Sequence, residues 1–413
     1  MAVISPTGLL GTRSPILITW NGTGTAASDI LYFKLEIYAW TGDKDVRPAS
    51  PTYTINRTSG FVDSFPTADI APLLENYISQ GISKIDLPSI ATLTPSTMLW
   101  VEIDYDIEYL DGGFVVNDTG TTTRFLVTDG YSKFVDNANA SLEARILIND
   151  ISKNMYEFDT YMMPIYLGDV GSSYQTDIAK VLISGSDGTT AEVTAISGVL
   201  AGENSRDRVA LFPSGIANLQ KYLFDQSITS LTEMRLLDWY DIKILNSSDA
   251  VLDSRRFYNQ CEPKFTPIQL QFVNRFGMWD TLTFFKRSDD SITLSKEKYR
   301  SVVGSASATG YNWGDQGRGM RSFNHEVKKS ITMNTGFVDE NTSETIQDLI
   351  MSEYVLMTIN RTTERVQDTY TIAQDFRAVV INTESLVLQK HINDKTINYT
   401  IQVEFGTPEN AML

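Results

Sequence analysis

Apolar and polar side chains alternate on both sides of Gly277, in an aromatic-rich stretch of the chain. The apolar positions from Ile268 to Phe272 are separated by glutamines, and those from Trp279 to Phe285 are interleaved with threonines. A period of two residues is typical of a strand with one buried face. The pattern therefore predicts a hairpin that turns at Gly277-Met278, and its large rings predict that the hairpin is buried.

Alternation of the same kind predicts strands along the whole chain. The segments with the clearest pattern are Leu31–Tyr38, Leu99–Tyr109 with a return from Phe114 to Val127, Tyr161–Tyr166, Val181–Ile183, Val193–Ile196, a strand at Trp239, Val327–Met333 ended by Gly336, Tyr354–Ile359 and Thr396–Phe405. Turn residues at Asp111-Gly112-Gly113, Asp187-Gly188 and Ser247-Ser248-Asp249 predict hairpins between neighbouring strands.

Three short segments have helical spacing instead. The first covers Ile70–Ile78, with Asp69 as its N-cap and Pro72 in its first turn. The second begins near Ile216. The third is centred on Ile346, after a capping-box-like start at Asn341 and Glu344; its apolar side chains fall on one helical face.

We therefore expect a mainly β protein made of tandem β-sandwich-like modules, each with one short helix. A chain of 413 residues is long enough for two or three domains. We place an N-terminal β-sandwich-like module at 1–137, a second β-module at 138–260 and a C-terminal β-rich module at 261–413.

Two parts of the chain resemble each other. Phe65-Pro66-Thr67-Ala68-Asp69-Ile70-Ala71-Pro72-Leu73 is similar to Phe212-Pro213-Ser214-Gly215-Ile216-Ala217-Asn218-Leu219, with one residue of difference in length. Each segment precedes a tryptophan-bearing strand, at Trp100 and at Trp239, and then a predicted hairpin. Repeated modules and a chance likeness of two short helix entries both explain this pattern.

The chain is strongly acidic, with 34 Lys and Arg against 51 Asp and Glu and a formal net charge of −17. Binding to a nucleic-acid backbone needs clustered cations, so we expect no sequence-specific binding of nucleic acid. The acidic balance fits a surface that stays in solution, or a wall along which DNA slides without adhering. No apolar run reaches transmembrane length and the N-terminus lacks a signal-peptide pattern, so we expect no membrane contact and folding in a reducing cytoplasm.

One strand carries an acidic row made of Glu102, Asp104, Asp106 and Glu108. The row could bind a cation or line a channel, or it could be the solvated face of the strand. A calcium loop of the EF-hand type needs glycine where Tyr109 stands, so the spacing favours the solvated face.

Residues that usually carry catalysis are scarce. The chain has one cysteine, Cys261, and two histidines, His325 and His391, which rules out an internal disulfide and a site built from several cysteines or histidines. Nucleophile-elbow, zinc-protease and P-loop motifs are absent. We therefore expect no enzyme activity, no catalytic or metal-binding residue and no cofactor. A glycosidase-type pair of carboxylates stays open because the separation of acidic side chains is not visible in a sequence.

A glycine-rich stretch at 304–321 contains two aromatic residues and two arginines. It predicts a loop that becomes ordered against a neighbouring subunit, with Tyr311, Trp313, Arg318 and Arg321 at the contact. Gly317-Arg318-Gly319 lacks the preceding strand and the following Lys-Ser/Thr that a phosphate-binding loop needs. The alternative is a disordered surface loop.

The heptapeptide Asn274-Arg275-Phe276-Gly277-Met278-Trp279-Asp280 follows Cys261 and Lys264 and precedes a helix and strand at 336–357. This order resembles the tail structural proteins, of ring or collar type, of tailed double-stranded DNA bacteriophages that infect Bacteroidetes, crAss-like phages among them. The resemblance covers about the last third of the chain.

The resemblance implies a non-enzymatic virion protein that is made in the host bacterial cytoplasm and then belongs to the tail. It implies a homo-oligomeric ring, a dodecamer or a hexamer, around the channel through which DNA is ejected, with tail or portal proteins as neighbours. The alternative from another class is a carbohydrate-binding or glycan-hydrolysing module of a tail or cell surface. Most aromatic residues lie in strand alternation and not in loops, which favours the structural role.

Overall fold

The structure is a computed structural model that describes residues 2–21, 30–58, 66–78, 90–92, 97–168, 178–194, 209–228, 231, 233–260, 264–301, 303–312, 319–338, 340–366, 369–383 and 397–406. Within these ranges the protein is mainly β, as the alternation predicts. The described residues contain three α-helices, one at each predicted helix position.

Described residues between 2 and 128 form the N-terminal sandwich. Its elements are β2 (Leu9–Gly11), β3 (Leu17–Asn21), β4 (Ile30–Trp40), β5 (Tyr53–Thr58), β6 (Thr67–Asp69), α1 (Ala71–Glu75), β8 (Met98–Asp111), β9 (Phe114–Thr121) and β10 (Phe125–Thr128), preceded by β1 (Ala2–Ile4). One sheet has the order β1-β3-β6 and the other the order β2-β10-β8-β4-β5, with β9 also paired to β8. Trp20, Phe33 and Tyr109 are fully buried between the sheets, so alternating apolar positions form a shared core.

Residues 152–259 form the middle sandwich. Its elements are β11 (Ser152–Met155), β12 (Met162–Tyr166), β13 (Lys180–Gly185), β14 (Thr190–Val193), β15 (Val209–Pro213), α2 (Ile216–Asp225), β16 (Trp239–Leu245) and β17 (Val251–Asn259). The larger sheet has the order β11-β17-β16-β13-β14. The smaller has the order β12-β15-β7, where β7 (Ala91–Thr92) is a strand that precedes β8 in the chain and so ties the two sandwiches together.

The two sandwiches have the same topology. Eight elements of the first sandwich correspond in chain order to eight of the second, and each pair of neighbouring strands has the same parallel or antiparallel pairing in both. They are β2, β3, β4, β5, β6, α1, β8 and β10 in the first and β11, β12, β13, β14, β15, α2, β16 and β17 in the second. The match includes the parallel pairing of the first strand with the last in each sandwich. This agreement favours repeated modules over a chance likeness of the two helix entries.

The C-terminal sheet has seven strands and a different topology. Its elements are β18 (Ile268–Val273), β19 (Trp279–Phe284), β20 (Asp289–Arg300), β23 (Met320–Val338), α3 (Glu340–Met351), β24 (Val355–Val366), β25 (Thr369–Ile381) and β26 (Ile397–Phe405). The strand order is β19-β18-β24-β25-β26-β23-β20, and β19 returns to the vicinity of β23, so the sheet curls on itself. Ile346 and Leu349 of α3 are fully buried in the core that the curled sheet encloses.

The predicted hairpin at Gly277 is confirmed and lies where the three parts of the chain meet. The main chain of its turn, 274–278, accepts hydrogen bonds from the Thr128 hydroxyl (3.0 Å) and the Tyr131 N–H (2.7 Å). The Asn274 amide donates to the carbonyl oxygen of Leu147 (2.8 Å). A buried apolar cluster around the turn draws members from both sandwiches and the turn: Leu9, Tyr38, Trp40, Met98, Trp100, Leu126, Leu142, Leu147, Tyr166, Val209, Phe276 and Met278.

Several predicted boundaries were wrong. Helix α1 begins at Ala71 with Ile70 as N-cap, while Asp69 lies in β6 and accepts hydrogen bonds from two main-chain N–H groups. Gly336 does not end its strand, because β23 absorbs it in a bulge (φ 71°) and continues to Val338. The single strand predicted from Phe114 to Val127 is two strands, β9 and β10. Strand β24 continues to Val366 and β25 was not predicted.

The tight contact at Gly277 allows a direct test. This residue has φ 75°, and a methyl group on it would lie 2.9 Å from the main-chain nitrogen of Asp129. We expect Gly277→Ala to lower the free energy of unfolding by more than the roughly 1–2 kcal/mol that the left-handed conformation alone costs. Urea denaturation measures this change.

Gly188→Ala is the matched control, because Gly188 has φ 83° and open space around it. The two variants share the conformational cost, so their difference reports the contact between the turn and the N-terminal sandwich. Equal destabilisation by both substitutions would contradict the importance of this contact.

Candidate functional site

A long two-stranded ribbon projects from the C-terminal sheet. Strand β20 pairs with β23 from Asp289 opposite Thr332 to Arg300 opposite Met320, whereas β26 pairs with β23 only from Ser330 onward. Residues 292–300 and 320–329 therefore extend beyond the sheet by about 30 Å at ~3.3 Å per residue. A small hairpin of β21 (Ser305–Ser307) and β22 (Gly310–Asn312) follows β20. We call residues 292–329 the arm.

Apolar side chains of the arm are exposed, and none of the arm residues whose burial the structure describes is buried. Every residue of β20 is exposed. Large apolar side chains that remain between 45% and 65% exposed are Ile292, Leu294, Tyr299, Tyr311, Met320 and Phe323. An isolated two-stranded ribbon is only marginally stable in water, so this arrangement is typical of a segment that packs against a partner.

The arm is also the basic part of an acidic protein. Residues 291–329 contain seven Lys or Arg and three Asp or Glu, whereas the rest of the chain contains 27 and 48. The charge of the arm is therefore opposite in sign to that of the rest of the chain.

Two of the four predicted contact residues, Tyr311 and Arg321, lie on the arm. Tyr311 lies in β22, is 45% exposed and donates a hydrogen bond from its hydroxyl to the carbonyl oxygen of Val303 (2.9 Å). Arg321 is exposed in β23, opposite Tyr299. Trp313 and Arg318 lie outside the described residues. The prediction of a loop throughout 304–321 was wrong in part, since β21, β22 and the start of β23 lie within it.

Sequence reasoning missed the apolar residues on the strands of the arm. Ile292 and Leu294 have strand spacing, yet the lysines and serines that follow them looked like an ordinary polar connection. Tyr299 and Phe323 form an edge-to-face contact across the ribbon, with ring centroids 5.9 Å apart. Only Ile292 and Leu294 alternate with polar residues in β20, and this pattern is too short to identify the strand from sequence.

The acidic row on β8 is partly neutralised. Arg47 and Arg124 form ion pairs with Glu102 at 2.8 and 3.1 Å, and Arg47 also pairs with Asp104. Glu102 is buried, so the prediction of a solvated face was wrong at this position. Two arginines therefore hold the end of the row that the structure buries.

The most buried charges lie between the middle sandwich and the C-terminal sheet. Lys153 of β11 contacts Asp150 (2.8 Å) and Asp280 of β19 (2.7 Å), and all three side chains are almost completely buried. Burial lowers the pKa of the Lys153 ammonium, but the two carboxylates outweigh it and hold that pKa above its usual value. Burial raises the pKa of the Asp150 carboxyl, whose oxygen accepts a hydrogen bond from Thr345 of α3. Because the group is closed to solvent, its role is to join elements.

A second buried carboxylate, Asp348 of α3, joins the C-terminal part to the segment 129–151 that connects the two sandwiches. It accepts hydrogen bonds from the Tyr131 hydroxyl (2.6 Å), the Asn149 amide (2.5 Å) and the Arg275 N–H (3.1 Å). Burial raises the pKa of Asp348 to about 6, even though the bonds from Tyr131 and Arg275 act in the opposite direction.

Other candidate chemistry is sparse in the ranges given above. Cys261 and His391 lie outside the described residues, and of His325 only the strand position is described. The described residues contain no group of three or more His, Cys, Asp or Glu placed to hold a metal ion. Of the helices in these ranges, none has the length and apolar composition needed to cross a membrane.

Comparison with known proteins adds no family. No protein-family model matches the chain, and no curated protein matches it.

Removal of the buried lysine tests the charged group. Lys153→Met leaves the Asp150 and Asp280 carboxylates buried without their cation, so we expect the free energy of unfolding to fall by about 3–5 kcal/mol. Denaturant titration measures the fall. Lys221→Met is the control, because Lys221 pairs with Asp225 on an exposed helix face (3.1 Å) and should lose at most about 0.5 kcal/mol. Similar losses in both variants would show that the buried group does not join the two parts.

The raised pKa of Asp348 makes stability depend on pH. The folded state holds this proton more tightly than the unfolded state, whose carboxyl has the usual value of 3.8. The stabilisation is therefore complete below pH ~4 and is lost as the pH rises through about 6.

We expect the stability of the wild type relative to Asp348→Asn to fall by on the order of 3 kcal/mol between pH ~4 and ~7. Asparagine keeps the shape of the side chain and does not titrate. Urea denaturation of both proteins across this range gives the difference, and a flat or rising difference would disprove the assignment.

Proposed function

We propose that the protein is a non-enzymatic structural subunit of a phage tail that assembles with copies of itself into a ring through its arm. The observation that carries the proposal is the arm: a ribbon of about 30 Å beyond the sheet with exposed apolar side chains and a basic charge, on a body that is acidic. Neither a buried core nor a described neighbouring strand supports its outer part.

Burial of the arm against a neighbouring subunit would supply the stabilisation that an exposed two-stranded ribbon lacks. Aromatic side chains each bury about 150–250 Å² in an interface. At ~25 cal/mol per Å², one such ring contributes on the order of a few kcal/mol. Tyr299 and Phe323 on the ribbon and Tyr311 on the small hairpin are three candidates of this type on the arm, so their burial offsets the entropy lost when the arm becomes ordered.

The positive charges of the arm favour the acidic body of another copy as its partner. Lys296, Lys298 and Arg300 are exposed near the outer end of β20. The surplus of 21 negative charges outside the arm offers many carboxylates to these cations. Attraction between the two surfaces raises the rate of encounter and disfavours contact between two arms.

The place of this assembly in a virion tail comes from the resemblance of Asn274–Asp280 and the segments around it to tail structural proteins. A ring around the ejection channel, with tail or portal proteins above and below, is the arrangement that the resemblance implies. An acidic inner surface would then let DNA pass without adhering.

The arm gives a direct test of assembly. We expect the purified full-length chain to form a closed oligomer. Substitution of both Tyr311 and Trp313 by Ala should give a folded monomer, because the aromatic area that offsets the ordering cost is lost. Mass photometry measures the particle mass, and circular dichroism checks the fold.

Phe114→Ala is the matched control. Phe114 is 77% exposed next to the β8–β9 turn, so its loss also removes an exposed ring from a hairpin, but not from the arm. We expect this variant to assemble at the wild-type yield. Oligomers of unchanged mass and yield from the double variant would disprove the role of the arm.

A further inference from the structure

The curled C-terminal sheet is closed at one end and open at the other. Helix α3 closes the first end, where the Tyr399 hydroxyl bonds to Ser343 and the Ser352 hydroxyl accepts a hydrogen bond from the N–H of Val273. The registers place Ile268, Ile331 and Phe405 toward the opposite end. We call that opening the mouth.

Two ribbons pass beyond the mouth, one on each side of β26. Strand β26 ends at Phe405, opposite Val379 of β25. Strand β25 extends away from this point to Thr369 in its pairing with β24, and β23 extends to Met320 in its pairing with β20. The ribbons therefore flank a space in which no described strand lies between them.

A cavity of about 860 Å³ occupies the mouth. Its floor is the apolar end of the core, with Ile331, Met357 and Phe405, and Tyr156 and Phe158 of the middle sandwich form a wall. This volume lies within the range of about 300–1,000 Å³ that is typical of ligand sites, and the mouth of a barrel-like sheet is a common place for them.

The charges around the cavity are mostly positive. Lys264, Lys329 and Arg377 line it, against the single carboxylate of Asp290 among the described lining residues. Asp290 lies 3.8 Å from Lys329, so Arg377 and Lys264 keep their positive charge for a ligand. A cationic cavity on a chain of net charge −17 predicts an anionic ligand.

The side chains on the floor of the cavity favour an acidic peptide over an acidic sugar as the anionic ligand. Arg377 and Lys329 lie over the ring of Phe405, at 4.8 and 5.7 Å from its centroid, so cations occupy the position that a stacking sugar would take on this ring. Ile359, which is 42% exposed, and the exposed edges of the buried Ile331 and Met357 provide an aliphatic surface that suits an apolar side chain. Strands on both sides of the mouth would let an extended chain lie along them.

We propose that the mouth binds an extended acidic segment of a partner protein, with an apolar side chain of that segment on Ile331 and Met357 and its carboxylates against Arg377 and Lys264. Both cations lie outside the arm, so the mouth can bind its ligand whether or not the arm assembles subunits.

A labelled peptide tests the site on the full-length chain. The probe is a fluorescein-labelled peptide of alternating glutamate and leucine, and fluorescence anisotropy measures its binding at ~50 mM salt, where charge contacts are weakly screened. We expect saturable binding that Arg377→Glu weakens at least about tenfold and Lys264→Glu at least about threefold. A peptide of alternating lysine and leucine should not bind.

Lys133→Glu makes the same change of charge beside Glu344 of α3, at the end of the sheet opposite the mouth, and should leave the affinity unchanged. Thermal denaturation of each variant confirms that it is folded. Equal affinity of wild type and Arg377→Glu, or no binding of the acidic peptide, would overturn the proposal. Stronger binding of an oligogalacturonate than of the peptide would also overturn it and assign the mouth to acidic saccharides. The Tyr311 and Trp313 double variant should still bind the peptide, which separates this site from assembly by the arm.

Discussion

Polar groups that leave water need partners, and this requirement determines how the three parts of the chain meet. Asn274 provides such partners at the buried turn. Its side-chain oxygen accepts hydrogen bonds from the N–H groups of Phe276 (3.0 Å) and Met278 (3.1 Å), and its amide donates to the carbonyl oxygen of Leu147, between the two sandwiches. Lys153 and Asp348 add charged contacts around the same junction. An apolar cluster alone would allow the parts to slide, whereas these directional bonds select one arrangement.

The parts of the fold that stabilise the C-terminal sheet differ from the parts that we propose contact other molecules. Two sandwiches of one topology hold the C-terminal sheet through its buried hairpin, and the strand β7 links the sandwiches to each other. The arm and the mouth lie together at the end of the C-terminal sheet away from α3. Variation in these exposed parts would leave the buried junction intact.

The periodic part of this structure was predictable from sequence. Strand β26 buries one face, as β4 does between Phe33 and Ile37, so apolar and polar residues alternate there. The turns at Gly112, Gly188 and Gly277 use the positive φ that glycine permits. Strand β20 was missed because both of its faces are exposed and burial imposes no pattern on it. Lys153, Asp150 and Asp280 were also missed, since their meeting depends on tertiary packing and no local spacing records it. Tyr311 was identified by its residue type, while its position in β22 required the structure.

The position of the arm at one end of the molecule has a consequence for symmetry. A projecting ribbon that binds the body of the next copy makes a head-to-tail contact, in which donor and acceptor surfaces differ. Such contacts give a closed ring only when the rotation from one subunit to the next divides a full turn evenly, and they otherwise give an open helix. The bulge of the arm, where Glu297 pairs with Asn324 and Lys298 with Ser322, changes the local twist of the ribbon. One extra residue in one strand would thus help to decide between a ring of fixed size and a filament without end.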